Sequence, residues 1–344
     1  MMKKRGITAL FLSLFMVLNL IGCTSSSTES KSTDIKGTTL EVVAAYGGKD
    51  NIFAKFTEDT GVKVEFIDMS SGEVLARTEA ENGKPMADLW FGGGADSFIG
   101  AKDKGLLEQY ASSEAETIPA KYKDADGYWT GISLVLTGFI VNNDILKEKG
   151  LEAPTKWEDL LKPEYKGEVL MADPGISGTN YAIVNCMLQS KGDEEGWKYF
   201  ESLNNNISYF AKRGGEPPKK AAAGEVGIGI APMSGEFISM RDKYPVSAIY
   251  PEDGIPWVPA CMAIFKGAEN TDAAKAFVDW ALSIKGQEII RDADPRVMAR
   301  PDVKVPEMMK DLPMDKLLDV SFEKFGTQRE QILNDWSEKI TNAK

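Results

Sequence analysis

From Leu40 the chain repeats one local pattern three times: a short apolar run, a cluster of small residues, then an amphipathic segment. Leu40-Glu41-Val42-Val43-Ala44-Ala45 leads into Tyr46-Gly47-Gly48 and a predicted helix over 51–60, whose stripe is Ile52, Phe53 and Phe56 and whose stop is Gly61. Val62 to Met69 alternates as a strand, Ser70-Ser71-Gly72 turns, and Glu73 to Asn82 reads as helix. Asp88 to Phe91 is a third strand, Gly92-Gly93-Gly94 a third turn, and Ala95 to Lys104 a helix stopped by Gly105. Strands alternating with helices bury their apolar faces as α/β layers around a largely parallel sheet. Ligands of such sheets collect beyond the carboxyl ends of the strands, where the three small-residue turns fall.

The stretch Trp129 to Asn142 breaks the pattern with two β-rich runs separated only by Thr137-Gly138, and reads as a crossover into a second lobe. There the alternation resumes. Thr155 caps a short helix through Leu161, and Gly167 to Ala172 is a strand. Gly178 to Gln189 is a helix, Asn206 to Ala211 a strand ending in Lys212-Arg213-Gly214-Gly215, and Glu225 to Ala231 a strand ending in Pro232-Met233-Ser234-Gly235. Pro259 to Phe265 is a strand able to carry the chain back to the first lobe. Asp272 to Ser283 follows as an amphipathic helix, and Gln328 to Ile340 is helical. Two α/β lobes joined by extended crossovers make a hinged cleft, a geometry that closes around a small ligand.

Composition removes several functions. The chain has no histidine, which excludes Ser-His-Asp and Cys-His catalysis, imidazole zinc sites and a histidine pH switch. Its net charge of -12 argues against nucleic acid, whose phosphates need clustered Lys and Arg. Lys3, Lys4 and Arg5 followed by the apolar run Ile7 to Ile21 form a secretory signal over residues 1–22. It ends in Leu20-Ile21-Gly22-Cys23, similar to the cleavage box of bacterial lipoproteins, so Cys23 is expected to carry a lipid. Residues 23–38, rich in Ser, Thr and Lys, are then a flexible tether. Cys186 and Cys261 both sit among apolar residues and are expected to be buried free thiols.

Ala87 to Asp96 (ADLWFGGGAD), Gly224 to Gly229 (GEVGIG), Lys266 to Asn270 ahead of Ala-Ala-Lys-Ala-Phe-Val-Asp-Trp, and Ser283 to Glu288 (SIKGQE) occur in an order that resembles the extracellular solute-binding lipoproteins of ATP-driven (ABC) importers. The resemblance covers essentially everything after the tether. It implies a two-lobed type 2 periplasmic-binding-protein fold: lobe 1 over 39–137, lobe 2 over 138–258, and a return to lobe 1 with C-terminal helices over 259–344. It also implies a monomer that binds a small molecule without catalysis or cofactor. Its partners are then a membrane permease with its ATPase, and its location is the outer face of the cell membrane or the periplasm. The nearest branch is usually labelled ferric-iron binding. Members of that branch place neighbouring tyrosines after the "GE-x-x-x-G" strand, and this chain has Pro232-Met233-Ser234-Gly235-Glu236-Phe237 there, with Tyr46 and Tyr181 as scattered phenols. Hard Fe(III) needs several phenolate or carboxylate oxygens, so the branch's binders of hexose phosphates and aminoalkylphosphonates fit better.

An oxyanion is best held by amides at helix starts. Ser177-Gly178-Thr179 supplies these in the second lobe, and Ser70-Ser71 and Gly93-Gly94 in the first; equally, Ser177 merely caps its helix and the glycines merely turn the chain. Arg213 is the preferred charged contact. Tyr46, Gly47, Thr137, Ser234 and Trp257 complete the expected ligand-binding set, Trp257 either stacking on the ligand or packing under the hinge. Asp96 and Glu236 either bind ligand or cap helices. The expected ligand is a small phosphorylated or phosphonylated organic anion; Fe(III), a polyamine or thiamine is the alternative within the fold. A secreted carboxylate-pair hydrolase is the alternative outside it, although no carboxylate pair stands out. Cys23→Ala is expected to move the protein from the membrane fraction to the soluble fraction in detergent partitioning. Retention in the membrane fraction would refute the lipid anchor.

Overall fold

The computed structural model describes residues 34–81 and 84–342. The signal segment, Cys23 and most of the tether lie outside the described residues. The first sheet is built by β1 (Thr39–Ala44), α1 (Lys49–Thr60), β2 (Lys63–Asp68), α2 (Ser71–Ala80), β3 (Leu89–Gly94), α3 (Ala95–Asp103) and the short β4 (Leu107–Glu108). Strands β1, β2 and β3 run parallel. Gly48 and Gly61 bracket α1 at φ 63° and 76°, so the cap expected at Gly61 is present. The expected glycine turn at 92–94 is instead the end of β3. Gly92 and Gly93 form an irregularity in the pairing of β3 with β10, between the paired Phe91 and Gly94, at φ 90° and 99°; a Cβ at Gly92 would lie 2.7 Å from the Ala45 carbonyl oxygen, and one at Gly93 2.4 Å from Ser71 Cβ.

The long strand β5 (Thr130–Asn142) is one element, not two. Its first half pairs antiparallel with β10 (Trp257–Phe265), from Thr130 to Leu136. From Thr137 it changes partner to β8 (Ile228–Pro232) and, on its other edge, to β9 (Val246–Ile249). The second lobe continues through α4 (Asn143–Lys149), β6 (Val169–Ala172), α5 (Gly178–Lys191), α6 (Asp193–Asn204), β7 (Ile207–Ala211), α7 (Glu216–Ala222) and α8 (Gly235–Ile238). The strand order is β2-β1-β3-β10-β5-β8-β6-β7, with β4 on β10 and β9 on β5. The sheet is thus less uniformly parallel than expected: β10 opposes both β3 and β5. After β10 come α9 (Thr271–Leu282), α10 (Ile284–Ala293), β11 (Val297–Met298), which pairs with β5, then α11 (Phe322–Thr327) and α12 (Arg329–Trp336).

Aromatic packing closes the first lobe. Phe277 of α9 is fully buried between Phe53, Phe56 and Phe91, at ring-centroid distances of 5.8, 4.9 and 5.4 Å, a contact set worth several kcal/mol on large-to-small substitution. The last helix does not stay with that lobe: Trp336 packs on Phe200 and Phe210 of the second, and Asn204 Nδ2 donates to the Ile340 carbonyl at 3.0 Å. The helix expected through Ile340 widens into a π-turn at Ser337–Thr341. Cys186 and Cys261 are buried free thiols, and burial pushes both thiols' pKa up, Cys186 to about 12.

One carboxylate stitches the first lobe together. Asp88, 3% exposed, accepts from the Glu41 amide at 3.0 Å, the Asn270 amide at 2.8 Å and Asn270 Nδ2 at 3.1 Å, joining β1, β3 and the entry to α9. Asp88→Ala strands these buried donors, so a loss of about 2–3 kcal/mol is expected in urea unfolding. A change below about 0.5 kcal/mol would show that the donors re-pair elsewhere.

Candidate functional site

A cavity of about 260 Å³ opens between the two halves of the sheet. Its first-lobe wall comes from the β1–α1 turn (Tyr46, Gly47, Lys49), the end of β2 and the start of α2 (Asp68 to Ser71), Gly93 of β3, and Arg296. Its second-lobe wall comes from Ser177, Gly178 and Thr179 at the start of α5, from Arg213 to Glu216 and Lys219 around the start of α7, and from Glu236 and Phe237 of α8. Apart from Gly93, which lies within β3, and Arg296, which follows α10, each of these segments follows a strand whose apolar residues are locked in the sheet, so the polar turn is delivered at the sheet edge.

Of the residues expected from sequence, Tyr46, Gly47, Ser70, Ser71, Gly93, Ser177, Gly178, Thr179 and Arg213 meet around this cavity. Gly94 lies just behind it; a Cβ there would sit 2.5 Å from Asp96 Oδ1. Ser234 is fully buried next to the lining residue Glu236, and its hydroxyl has no partner among the described residues. Thr137 and Trp257 are elsewhere. Thr137 is spent on the strand switch, its amide and hydroxyl both donating to the Pro256 carbonyl at 3.0 and 2.8 Å. Trp257 packs edge-on to Tyr122 and Phe322 while its Nε1 donates to the Leu318 carbonyl at 2.9 Å, the under-hinge alternative. Asp96 is fully buried and binds Arg329 Nε at 3.2 Å, away from the cavity. Burial pushes its carboxyl pKa up while Arg329 pulls it down, the net direction being up.

Sequence reasoning missed Lys49, Asp68, Glu216, Lys219, Phe237 and Arg296 as lining residues. Lys49 was legible as the neighbour of Gly47-Gly48. Arg296 had no local signal, because the path of the chain after α10 alone places it under Tyr46.

The charges are arranged in pairs. Lys49 Nζ lies 2.9 Å from Asp68 Oδ2, and Arg213 Nη1 reaches the same carboxylate from the opposite lobe at 3.6 Å. Arg213 and Asp68 are each about half exposed, so this pair is weak. Lys219 Nζ contacts Glu236 Oε1 at 3.1 Å. Arg296, only 8% exposed, is held by Asp294 at 2.7 Å through Nη2 and lies 4.6 Å over the Tyr46 ring. Burial works against the Arg296 charge, and Asp294 and Tyr46 more than offset it, so its pKa stands above the ordinary arginine value. Burial also pushes the Tyr46 phenol up to about 12, and it shares a 2.8 Å hydrogen bond with Ser133. The wall thus carries four cations against three carboxylates inside a chain of net charge -12.

Two backbone bonds cross the cleft beside the cavity. Gly72 at the start of α2 donates to the Ile176 carbonyl at 3.2 Å, and Gly235 at the start of α8 donates to the Pro295 carbonyl at 2.8 Å. A Cβ at Gly178 would lie 2.3 Å from Ser71 Oγ, so the starts of α5 and α2 approach as closely as glycine allows.

This two-lobed architecture matches known proteins. The structure superposes on the periplasmic binding protein AfuA of Actinobacillus pleuropneumoniae, described with exogenous fructose-6-phosphate bound, at a TM-score of 0.84 and 33% identity, covering 89% of this chain and 99% of AfuA. An uncharacterised protein of Haemophilus influenzae is 34% identical over 298 residues, 84% of this chain and 86% of the relative. Iron-bound HitA of Pseudomonas aeruginosa shares the fold at a TM-score of 0.74 with 18% identity, covering 87% of this chain and 99% of HitA. Residues 84–320 match the family model described as bacterial extracellular solute-binding protein, and with the cleft described above they establish that the chain belongs to that family.

Proposed function

We propose that this chain captures a small phosphorylated or phosphonylated organic anion in the interlobe cleft, outside the cytoplasmic membrane, and delivers it to an ABC permease driven by its ATPase. One observation carries the reading. The starts of α2 and α5, with Ser70, Ser71, Gly178 and Thr179, converge on one cavity lined by four cations, whose charge is balanced by three lining carboxylates and by Asp294 behind Arg296. Amides of a helix's first turn have no partner within the helix and sit at the positive end of its dipole, so those of Ser71, Gly178 and Thr179 suit an oxyanion, while Gly72 is spent on the Ile176 carbonyl and Asn180 on the Ser177 hydroxyl. Because these donors come from both lobes, such a ligand favours the shut form by differential contact. The fructose-6-phosphate named for AfuA supports the same ligand class. Cys23 holds the protein to the membrane as a lipid anchor, with no covalent chemistry asked of the cleft.

Ferric iron has less support. Among the described residues no group of three His, Cys, Asp or Glu could hold a metal ion. The two candidate phenols are committed elsewhere, Tyr46 to Ser133 and Tyr181 to the Phe325 carbonyl, and burial raises the pKa of both, away from phenolate. A polyamine or thiamine would meet Asp68 and Glu236, already engaged by Lys49, Arg213 and Lys219, and Glu216, which accepts the Lys212 amide.

A thermal-shift panel separates these readings by mass action. Fructose 6-phosphate, 3-phosphoglycerate and 2-aminoethylphosphonate are run beside fructose, glycerate and ethylamine, with spermidine, thiamine and Fe(III) as controls. At least one phosphorylated or phosphonylated member is expected to raise the melting temperature without turnover, with a Kd near micromolar or tighter, about 8 kcal/mol. Stabilisation by the cations alone, or equal stabilisation by the dephosphorylated compounds, would overturn the reading. Gly178→Val places methyl groups between the starts of α5 and α2. The variant is expected to keep its unliganded melting temperature within a few degrees, yet to lose ligand-induced stabilisation and the compaction seen by X-ray scattering.

A further inference from the structure

The cavity's four cations are held with unequal firmness. Arg213 and Lys219 have side chains 51% and 59% exposed and meet carboxylates at the rim. Arg296 is of another kind. Its Nε donates to Asp294 Oδ2 at 2.8 Å, its Nη2 lies 2.7 Å from the same oxygen, and its Cζ sits 4.6 Å over the ring of Tyr46, whose hydroxyl is fixed by Ser133. Among the described residues no protein acceptor takes Nη1, although the residue lines the cavity. The loop that carries Arg296 is gripped by the facing lobe: the Pro295 carbonyl accepts the Gly235 amide at 2.8 Å, and the Pro295 ring lies 2.5 Å from where a Gly235 Cβ would be.

A guanidinium already held by a carboxylate loses little freedom when it takes a ligand, and with the Nε edge on Asp294 its remaining edge, Nη1 with the second hydrogen of Nη2, matches two phosphate oxygens. Water and salt screen a half-exposed arginine and spare one that is nine-tenths buried. In a cavity of about 260 Å³, a ligand that fills the space meets Arg296. We propose that Arg296 is the residue that selects a phosphorylated over an unphosphorylated ligand, with Asp294 as its positioning residue, and that Arg213 helps shut the cleft without setting that selectivity. This rests on the phosphorylated-solute reading above.

The test compares Kd values of the phosphorylated probes and their dephosphorylated counterparts, by calorimetry on the soluble chain from residue 24 onward, for the wild type, Arg296→Lys, Arg213→Gln and the double variant Asp294→Asn/Arg296→Gln. The double variant removes both buried charges together, so neither is left unpaired. It is expected to weaken the phosphorylated probe by about 10- to 100-fold and to change the dephosphorylated one by less than about threefold. Arg296→Lys keeps the charge without the fork and is expected to lose at least about fivefold on the phosphorylated probe alone. Should the double variant fail to fold, that lysine variant decides the question. Arg213→Gln is expected to weaken both probes by the same small factor. A double or lysine variant with wild-type selectivity, or an Arg213→Gln protein without selectivity, overturns the assignment to Arg296 while leaving the ligand class intact. Failure of every phosphorylated probe to bind the wild type overturns the ligand class, and the assignment with it.

Discussion

Every feature of the site depends on β5 belonging to two sheets at once. All thirteen of its residues are buried, and they change partner from β10 to β8 at Thr137. A strand buried on both faces fixes register on both sides, since a one-residue slip would turn its side chains to the wrong face in each lobe. Thr137 holds the changeover by giving two hydrogen bonds to Pro256, and Gly138 leaves room for the Ile249 carbonyl, 2.4 Å from where a Cβ would lie. The two lobes are therefore joined at a point that is itself rigidly paired. The turns at the strand ends face each other because the strands behind them have no other register available.

Electrostatics are decided locally. A net charge of -12 repels anions at long range, but beyond about 8 Å at physiological salt that field is screened. Inside the cavity the nearby groups are helix-start amides, a buried guanidinium, and paired lysines. The carboxylates among them hold the cations in place and offer acceptors for hydroxyl or amine groups of a ligand. Long-range charge thus governs encounter, while the short-range pattern governs what is kept.

Much of this was legible in the sequence because it follows from local rules. The strand–turn–helix repeats, the αL cap at Gly61, the Ser177 cap and the small residues at helix starts are read from a few neighbouring residues. Nine of the expected residues gather at the cavity for that reason. The rest depended on tertiary path. Gly92 to Gly94 carry the composition of a turn, but the nearness of Ala45 and Ser71 makes them a strand end. Trp257 between two prolines is indistinguishable in sequence from a stacking platform, and only the return of Leu318 shows it to be packing. Arg296 lies over two hundred residues from Tyr46 in the chain, and no periodicity connects the two.

The two backbone bonds that cross the cleft, Gly72 to Ile176 and Gly235 to Pro295, join protein to protein. Cargo is not needed to make them, so they lower the free energy of the shut form whether or not it is loaded. The apparent Kd equals the intrinsic Kd divided by the fraction of molecules already competent to bind. Raising that fraction tightens capture at low solute concentration, but it also presents the importer with empty shut molecules that resemble full ones. The strength of two amide–carbonyl pairs would then set a compromise between scavenging power and wasted ATP.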